Sequence, residues 1–546
     1  MTVGKSYASG TSNHPLLGET IGQNLLKTVS KFPNHDALIS VHQNYKASYS
    51  EFYTQTEKIA KALLAVGLEK GDRVGIWSPN RYEWVLLQYA TARIGIILVN
   101  INPAYRVHEL EYALNQSGIR VLFSTKTFKT SNYVKMIQEI RPKVPSLRLS
   151  IFFEQDWDQF LELATNISQQ QLNAIEESVQ FDEPINIQYT SGTTGFPKGV
   201  TLTHHNILNN GYFIGLRLNY SHIDRVCIPV PFYHCFGMVI GNLACTSHGA
   251  TMVIPNDSFD PELTLKAVES EQCTSLYGVP TMFIAELNLS NFEKFNLSSL
   301  RTGVMAGSPC PVEIMKQVQS RMNMKDVSIC YGMTETSPVS TQTIIGTPFE
   351  KQISTVGTVM DHLEIKIVNP ETDQIVPNGV SGELCTRGYS VMLKYWETPE
   401  ATKNVLDAAG WMHTGDLATM DTEGYINITG RIKDLIIRGG ENISPKEIED
   451  FLYSHQSIAD AQIIGIPDEK FGEEVMAWVK LKEGHTPNVE ELNQFCTAIA
   501  HFKRPKHWKF VSEFPMTISG KVRKIDMRET SIKELGLEHL KNIKHT

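Results

Sequence analysis

Ile185-Asn186-Ile187-Gln188-Tyr189-Thr190-Ser191-Gly192-Thr193-Thr194-Gly195-Phe196-Pro197-Lys198-Gly199-Val200-Thr201-Leu202 is the stretch that decides how this chain reads. Residues 185–189 alternate as a strand does, and residues 200–202 read as a second strand. Between them lie hydroxyls at Thr190, Ser191, Thr193 and Thr194, glycines at Gly192, Gly195 and Gly199, and one cation, Lys198. Glycines let backbone N–H groups turn inward, hydroxyls donate, and the lysine adds a point charge, which together suit a polyphosphate. The spacing is not G-x-x-x-x-G-K-[ST], because Gly199 and Val200 follow Lys198. The loop therefore cradles phosphate outside the common nucleotide-hydrolase pattern.

Working outward, the chain of 546 residues is too long for one core and implies several domains. With 41% hydrophobic and 20% charged residues it has an ordinary globular composition. A net charge of −9 disfavours nucleic acid as the main partner. The eight cysteines contain no C-x-x-C pair, which argues against metal clusters and a disulfide framework and for a reducing compartment. No apolar run of about 18 residues occurs, and the first residues lack a signal core. The expected location is cytoplasmic.

The pattern predicts an α/β fold. Residues 1–20 read as a flexible lead-in and 21–432 as a large N-terminal domain of wound α/β sheets. Within it, strands are expected at 73–77, 96–99, 121–124, 225–229, 251–254, 275–277 and 302–306, with a helix at 83–95. Residues 345–432 turn to shorter strands, including 363–368 and 382–386, and read as a β-rich subdomain. Residues 433–546 read as a small α+β domain. There Ser444-Pro445-Lys446-Glu447 predicts a capping box with proline at the first helical position. Strands at 461–466 and 475–481 and a helix at 489–500 should follow.

Four more motifs accompany the loop. Tyr331-Gly332-Met333-Thr334-Glu335 follows the apolar strand 327–330. Trp411-Met412-His413-Thr414-Gly415-Asp416 reads as a turn presenting a carboxylate. Gly430-Arg431-Ile432-Lys433-Asp434 marks a junction, and Pro515-Met516-Thr517-Ile518-Ser519-Gly520-Lys521 closes the set. In this order they resemble the adenylate-forming superfamily over roughly residues 20–530, and within it fatty acyl-CoA synthetases of the medium-chain type.

That resemblance implies activation of a carboxylate by ATP, release of pyrophosphate, and transfer of the acyl group to coenzyme A. Thr190, Ser191, Gly192, Thr193, Thr194, Gly195 and Lys198 would form the phosphate loop. Gly307, Ser308, Pro309 and Tyr331 would wall the adenine, with Gly332 and Met333 alongside. Thr334 would bond the α-phosphate and Glu335 would help hold Mg²⁺. Asp416 would accept from the ribose with Arg431 nearby. Lys521 would bridge carboxylate and α-phosphate. Gly439, Gly440 and Glu441 would line the thioester-forming channel, and Lys433 occupies the hinge position of a mobile C-terminal domain. His234 would close over the carboxylate end of the acyl site, whose apolar wall would include Phe236, Val239, Gly241, Val279, Gly303 and Met305. Small Gly241 and Gly303 are expected to leave room for a chain. The basic run Lys503, Arg504, Lys506, Lys509 could meet coenzyme A phosphates or simply be solvated.

The expected partners are a fatty acid, ATP and coenzyme A, with transient membrane contact allowed and a monomer or homodimer both open. An aryl-CoA ligase of the coumarate or benzoate type, an acyl-AMP ligase loading a carrier protein, and a non-catalytic nucleotide binder remain as alternatives.

Overall fold

A computed structural model describes residues 4–190, 197–307, 310–439, 441–516 and 522–540. Contacts divide the chain into two compact units, one of residues 8–365 and 386–412, the other of residues 1–7, 366–385 and 413–546.

The first unit holds two large sheets. A seven-stranded sheet runs in the order Lys394–Tyr395, Lys198–Thr203, Pro184–Thr190, Ile97–Ile101, Arg73–Trp77, Val121–Ser124, Leu149–Phe152. A nine-stranded sheet runs Thr358–Val359, Val339–Gln342, Asp326–Gly332, Thr302–Ala306, Ser275–Gly278, Arg225–Cys227, Thr251–Ile254, Asp36–Ser40, Tyr45–Ser48. Ile97–Ile101, Val121–Ser124 and Thr302–Ala306 are buried along their whole length. Strands covered on both faces need continuous apolar runs, so these sequences read as parallel strands. Helices fill the connections. Tyr49–Ala65 starts from a capping box of Ser48 and Glu51. Tyr82–Arg93 is buried around nearly its whole surface and stops just before Gly95, whose φ is +67°.

A five-stranded sheet runs Tyr7–Ser9, Leu363–Val368, Gly382–Gly388, Met412–Met420, Ile426–Arg431. The expected turn at 411–416 is therefore largely a strand, although Gly415 keeps a left-handed φ of +71° inside it. The second unit also contains the antiparallel pair Ile458–Asp468 and Gly472–Leu481, with His507–Phe510 joining in parallel. Pro445–Tyr453 buries Ile448 and Leu452 against that pair, with Phe451 half-buried beside them.

The capping box predicted there does not form. Ser444 Oγ donates instead to the Thr429 carbonyl at 2.7 Å, and Glu447 pairs with Lys503 at 2.6 Å. Proline at the first position still sets the helix start, since its missing N–H costs nothing there. The helix expected over 489–500 ends at Phe495 and tightens into a single 3₁₀ turn, Cys496–Ala498.

Candidate active site

Four neighbouring strands of the nine-stranded sheet, Arg225–Cys227, Ser275–Gly278, Thr302–Ala306 and Asp326–Gly332, run parallel to one another. Their carboxyl ends lead directly into predicted site residues: His234, Val279, Gly307 and the 331–335 segment. Ligands of open α/β sheets collect along such ends, because the loops leaving them are free to vary over a rigid base. Gly307 has φ +94°, and a β-carbon there would stand 3.2 Å from Val279 Cγ1. The glycine expected in the adenine wall and the valine expected in the acyl wall are thus immediate neighbours.

The phosphate loop leaves and re-enters the seven-stranded sheet as an antiparallel hairpin, with Thr190 opposite Lys198. Ser191, Gly192, Thr193, Thr194 and Gly195 lie outside the described residues. Lys198 next meets the short strand Lys394–Tyr395, which pairs alongside Val200 and Thr201. Its ammonium stands 5.0 Å from the centre of the Tyr395 ring. The Tyr395 hydroxyl in turn donates to Glu335 Oε1 at 2.7 Å. Burial, and then the Glu335 charge, push the Tyr395 pKa upward, so the phenol stays a proton donor. One aromatic residue therefore joins the loop lysine to the predicted metal carboxylate.

Thr334 and Glu335 are both buried, at 7% and 6% exposure, in the 3₁₀ turn Thr334–Thr336. Thr336 Oγ1 accepts from the Met333 N–H, and the Met392 N–H donates to the Glu335 carbonyl, fixing the turn from both sides. Gly332 is obligatory: a β-carbon would fall 1.8 Å from the Pro338 carbonyl oxygen. Tyr331 stays half-buried beside it.

His234 Nδ1 accepts from the Phe236 N–H at 3.2 Å, which places the proton of the neutral ring on Nε2. The residues that follow, Phe236–Leu243, are wound as a π-helix and entirely buried. Buried amides hold this segment. Gln88 Nε2 donates to the Met238 carbonyl, Asn100 Nδ2 to the Tyr233 carbonyl, and Asn242 Nδ2 to Gln88 Oε1. Gln188 accepts from Cys235 Sγ and donates to Asn186. Because Asn186 and Gln188 belong to the strand that carries Thr190, that strand and the π-helix share one buried network. Phe236 lies 5.8 Å from Tyr277, ring centre to ring centre, and Val239 is fully buried.

Two acyl-wall expectations need correction. A β-carbon on Gly303 would stand 2.0 Å from the Leu276 carbonyl oxygen and 2.4 Å from Met324 Cε. Gly303 is small so that two strands and Met324 can close up, and it leaves no room for a chain. Met305 likewise packs into the core with Met315, Val318 and Met322. Gly241 rests against Ile228, 3.0 Å from where its β-carbon would be.

In the second unit, Asp416 pairs with Arg431 in register, Arg431 Nε lying 3.1 Å from Asp416 Oδ1. Lys433 falls in the 3₁₀ turn Ile432–Asp434. Gly439 has φ +59° and its N–H donates to the Phe471 carbonyl. Glu441 is exposed. Gly440, Lys521, Ser308 and Pro309 lie outside the described residues; next to Lys521, Met516 and Val522 form an antiparallel bridge. The basic run is neutralised where it stands: Lys503 pairs with Glu447, Lys506 with Asp468 and Lys509 with Glu534, while Arg504 donates to carbonyls of Thr497 and Ile499. Those pairings favour the solvated reading over a coenzyme A contact.

Tyr395 is the residue that motif reading missed. Its only sequence signal is an aromatic two residues after Leu393, far along the chain from both partners.

The comparisons with known proteins agree with this geometry. A family profile described as AMP-binding enzyme matches residues 25–396, and that of the AMP-binding enzyme C-terminal domain matches residues 447–521. YngI of Bacillus subtilis (strain 168) is 46% identical over 543 residues, covering 96% of this chain and 99% of YngI. Medium-chain acyl-CoA ligase ACSF2, mitochondrial, of Danio rerio is 45% identical over 561 residues, covering 98% of this chain and 92% of that protein. ATP-bound MatB from Rhodopseudomonas palustris matches in structure with a TM-score of 0.81 at 26% identity, over 94% of this chain and 99% of MatB. The large N-terminal and smaller C-terminal domains, the five ordered motifs and similarity over nearly the full length to acyl-CoA ligases, at 45% and 46% identity, lead to one assignment: the chain belongs to the AMP-binding enzyme family, in its AMP-forming acyl-CoA ligase branch.

Proposed function

We propose that the enzyme joins a medium- to long-chain fatty acid to coenzyme A through an enzyme-bound acyl-adenylate. In the first step a carboxylate oxygen attacks the α-phosphorus of ATP and pyrophosphate leaves. In the second, the thiol of coenzyme A gives up its proton, its thiolate attacks the acyl carbon, and AMP leaves with the bonding pair. Both partners of the first step are anionic, so positioning and cationic stabilisation carry the catalysis. Thr190, Ser191, Thr193, Thr194 and Lys198 hold the β- and γ-phosphates, Thr334 the α-phosphate, Gly307 and Tyr331 the adenine, and Asp416 with Arg431 the ribose. Lys521 neutralises the joining groups. His234, protonated on Nε2, offers a donor to the acyl carboxylate.

The Lys198–Tyr395–Glu335 link is the observation that supports this reading most directly. It puts a hydroxyl donor and a buried carboxylate next to the cation that opens the strand Lys198–Thr203. Glu335, a hard oxygen ligand anchored by Tyr395, fits Mg²⁺ held jointly with substrate phosphates. When bound, Mg²⁺ would neutralise charge on the polyphosphate.

The wholly apolar Phe236–Leu243 segment, save Asn242, supports a hydrocarbon tail, as do relatives named medium-chain acyl-CoA ligases. The reading includes a C-terminal domain, 433–546, that turns about Lys433 so that Lys521 and the 439–441 channel serve in sequence. It also places the enzyme in the cytoplasm, as a monomer or homodimer with transient membrane contact; among the described residues no helix is long and apolar enough to cross a membrane.

Acid-dependent pyrophosphate release from octanoate, palmitate, acetate and 4-coumarate tests the substrate class. Octanoate or palmitate should dominate, and preference for 4-coumarate would overturn the fatty-acid reading. Thioester formed with free coenzyme A tests the acceptor.

A further inference from the structure

Next to the Thr414-Gly415-Asp416 segment, two neighbouring strands bring three different donor types together. Glu383 and Cys385 are two residues apart on Gly382–Gly388 and so share a face. His413 stands near the start of the adjacent strand Met412–Met420. One donor atom from each lies within 4.8 Å of the other two. His413 Nδ1 is 2.9 Å from Glu383 Oε2 and 3.5 Å from Cys385 Sγ.

We propose that Glu383, Cys385 and His413 form a binding site for a borderline-soft divalent cation of the Zn²⁺ class. In a tetrahedral zinc site, bond lengths of about 2.0 Å to nitrogen and 2.3 Å to sulfur put those two ligands about 3.5 Å apart. The nitrogen-to-sulfur separation here already has that value. The matching nitrogen-to-oxygen edge is about 3.3 Å, a few tenths of an ångström beyond the present 2.9 Å, and Cys385 Sγ and the Glu383 oxygen, now within 4.8 Å of each other, would settle at about 3.5 Å. A thiolate, an imidazole and a carboxylate together favour Zn²⁺ or Co²⁺ over Mg²⁺ or Ca²⁺, which take oxygen donors.

The surroundings are ordered as outer-shell partners of a metal site are. Glu383 Oε1 accepts from the Gly415 N–H at 3.0 Å, fixing the carboxylate plane. Thr414 Oγ1 donates to the Leu384 carbonyl at 2.7 Å, tying the same two strands once more. Cys385 is fully buried and Glu383 nearly so, while His413 is half-buried, leaving its side as the route of entry. Binding displaces the proton that the His413–Glu383 hydrogen bond holds, and the thiol loses its own. The cation would clamp the strands just before Thr414-Gly415-Asp416, and the site is independent of the Mg²⁺ proposed at Glu335.

Co²⁺ is the probe, added to the full-length reduced protein. One saturating equivalent should produce thiolate-to-cobalt absorbance in the near ultraviolet, and Zn²⁺ should displace it. Cys385→Ser should abolish that band. His413→Gln should weaken binding by about 10-fold or more, since even losing an outer-shell partner costs that much. Zn²⁺ should also raise the thermal midpoint of the wild type but not of either variant, each first checked for native circular dichroism. No saturable cobalt band, or a band that persists in folded Cys385→Ser, overturns the site and leaves a simple histidine–glutamate hydrogen bond.

Discussion

Tyr395 shows how much one side chain can organise. Its ring faces the Lys198 ammonium and its hydroxyl serves Glu335, so truncating it acts on two charged groups in different ways. Tyr395→Phe keeps the ring and removes only the hydrogen bond to the carboxylate. Such bonds to charged groups contribute about 1.5–3 kcal/mol, so acyl-adenylate formation should slow by about 10-fold or more with the fold intact. Tyr395→Leu, which also removes the ring face, should lose more. Equal rates for wild type and Tyr395→Phe in pyrophosphate release would remove Tyr395 from the site. Nothing in the local sequence advertises this residue. Sheet pairing brings it beside Lys198, and a motif scan sees only neighbours along the chain. Thr334, Glu335 and Asp416, by contrast, were singled out through the resemblance of segments 331–335 and 411–416 to family motifs, each a short continuous run that a scan along the chain can see.

At the scale of elements, the parallel strands were readable because burial on both faces demands continuous apolar runs. Strands 73–77, 121–124, 251–254 and 302–306 fall where that pattern puts them. What such a run does not disclose is why a small residue interrupts it. Gly303 was expected to open space, yet the neighbouring strand and Met324 occupy that space. Gly303→Ala should destabilise the enzyme by about 1–3 kcal/mol, the usual cost of overpacking. The ratio of octanoate to palmitate activity should stay unchanged. A shifted chain-length preference at unaltered thermal midpoint would return Gly303 to the acyl wall. The Glu383–Cys385–His413 group was hidden for a related reason: cysteine spacing reports sites built along one segment, and these donors come from two strands.

For the whole molecule, acid sensitivity follows from His204, which is fully buried with Nδ1 accepting from the Ile21 N–H and Nε2 meeting no hydrogen-bond partner among the described residues. Burial pushes its pKa from 6.5 down to about 3. The unfolded chain takes up a proton below its ordinary value while the folded chain does not, so stability is complete above that value and drains as pH falls toward about 3. One proton corresponds to about 1.4 kcal/mol per pH unit. Between about pH 6 and pH 4, denaturant unfolding of His204→Gln should therefore lose stability less steeply than the wild type, by about one proton. Identical slopes would rule out His204 as a source of the effect. The order of half-reactions is also a property of the whole chain. Lys521→Ala should cripple acyl-adenylate formation yet convert supplied acyl-AMP to thioester, and Gly440→Leu should do the opposite. Loss of both steps in both folded variants would end the idea of alternating service.

The amides beneath Phe236–Leu243 carry an evolutionary corollary. Gln188 both gives to Asn186 and receives from Cys235; exchanging it alone for leucine strands a donor on one side and an acceptor on the other, each in a place water does not reach. Such a meshwork resists piecemeal drift. Across distant cousins, positions 88, 100, 186, 188 and 242 should accordingly be retained or replaced as a block, with mixed combinations scarce.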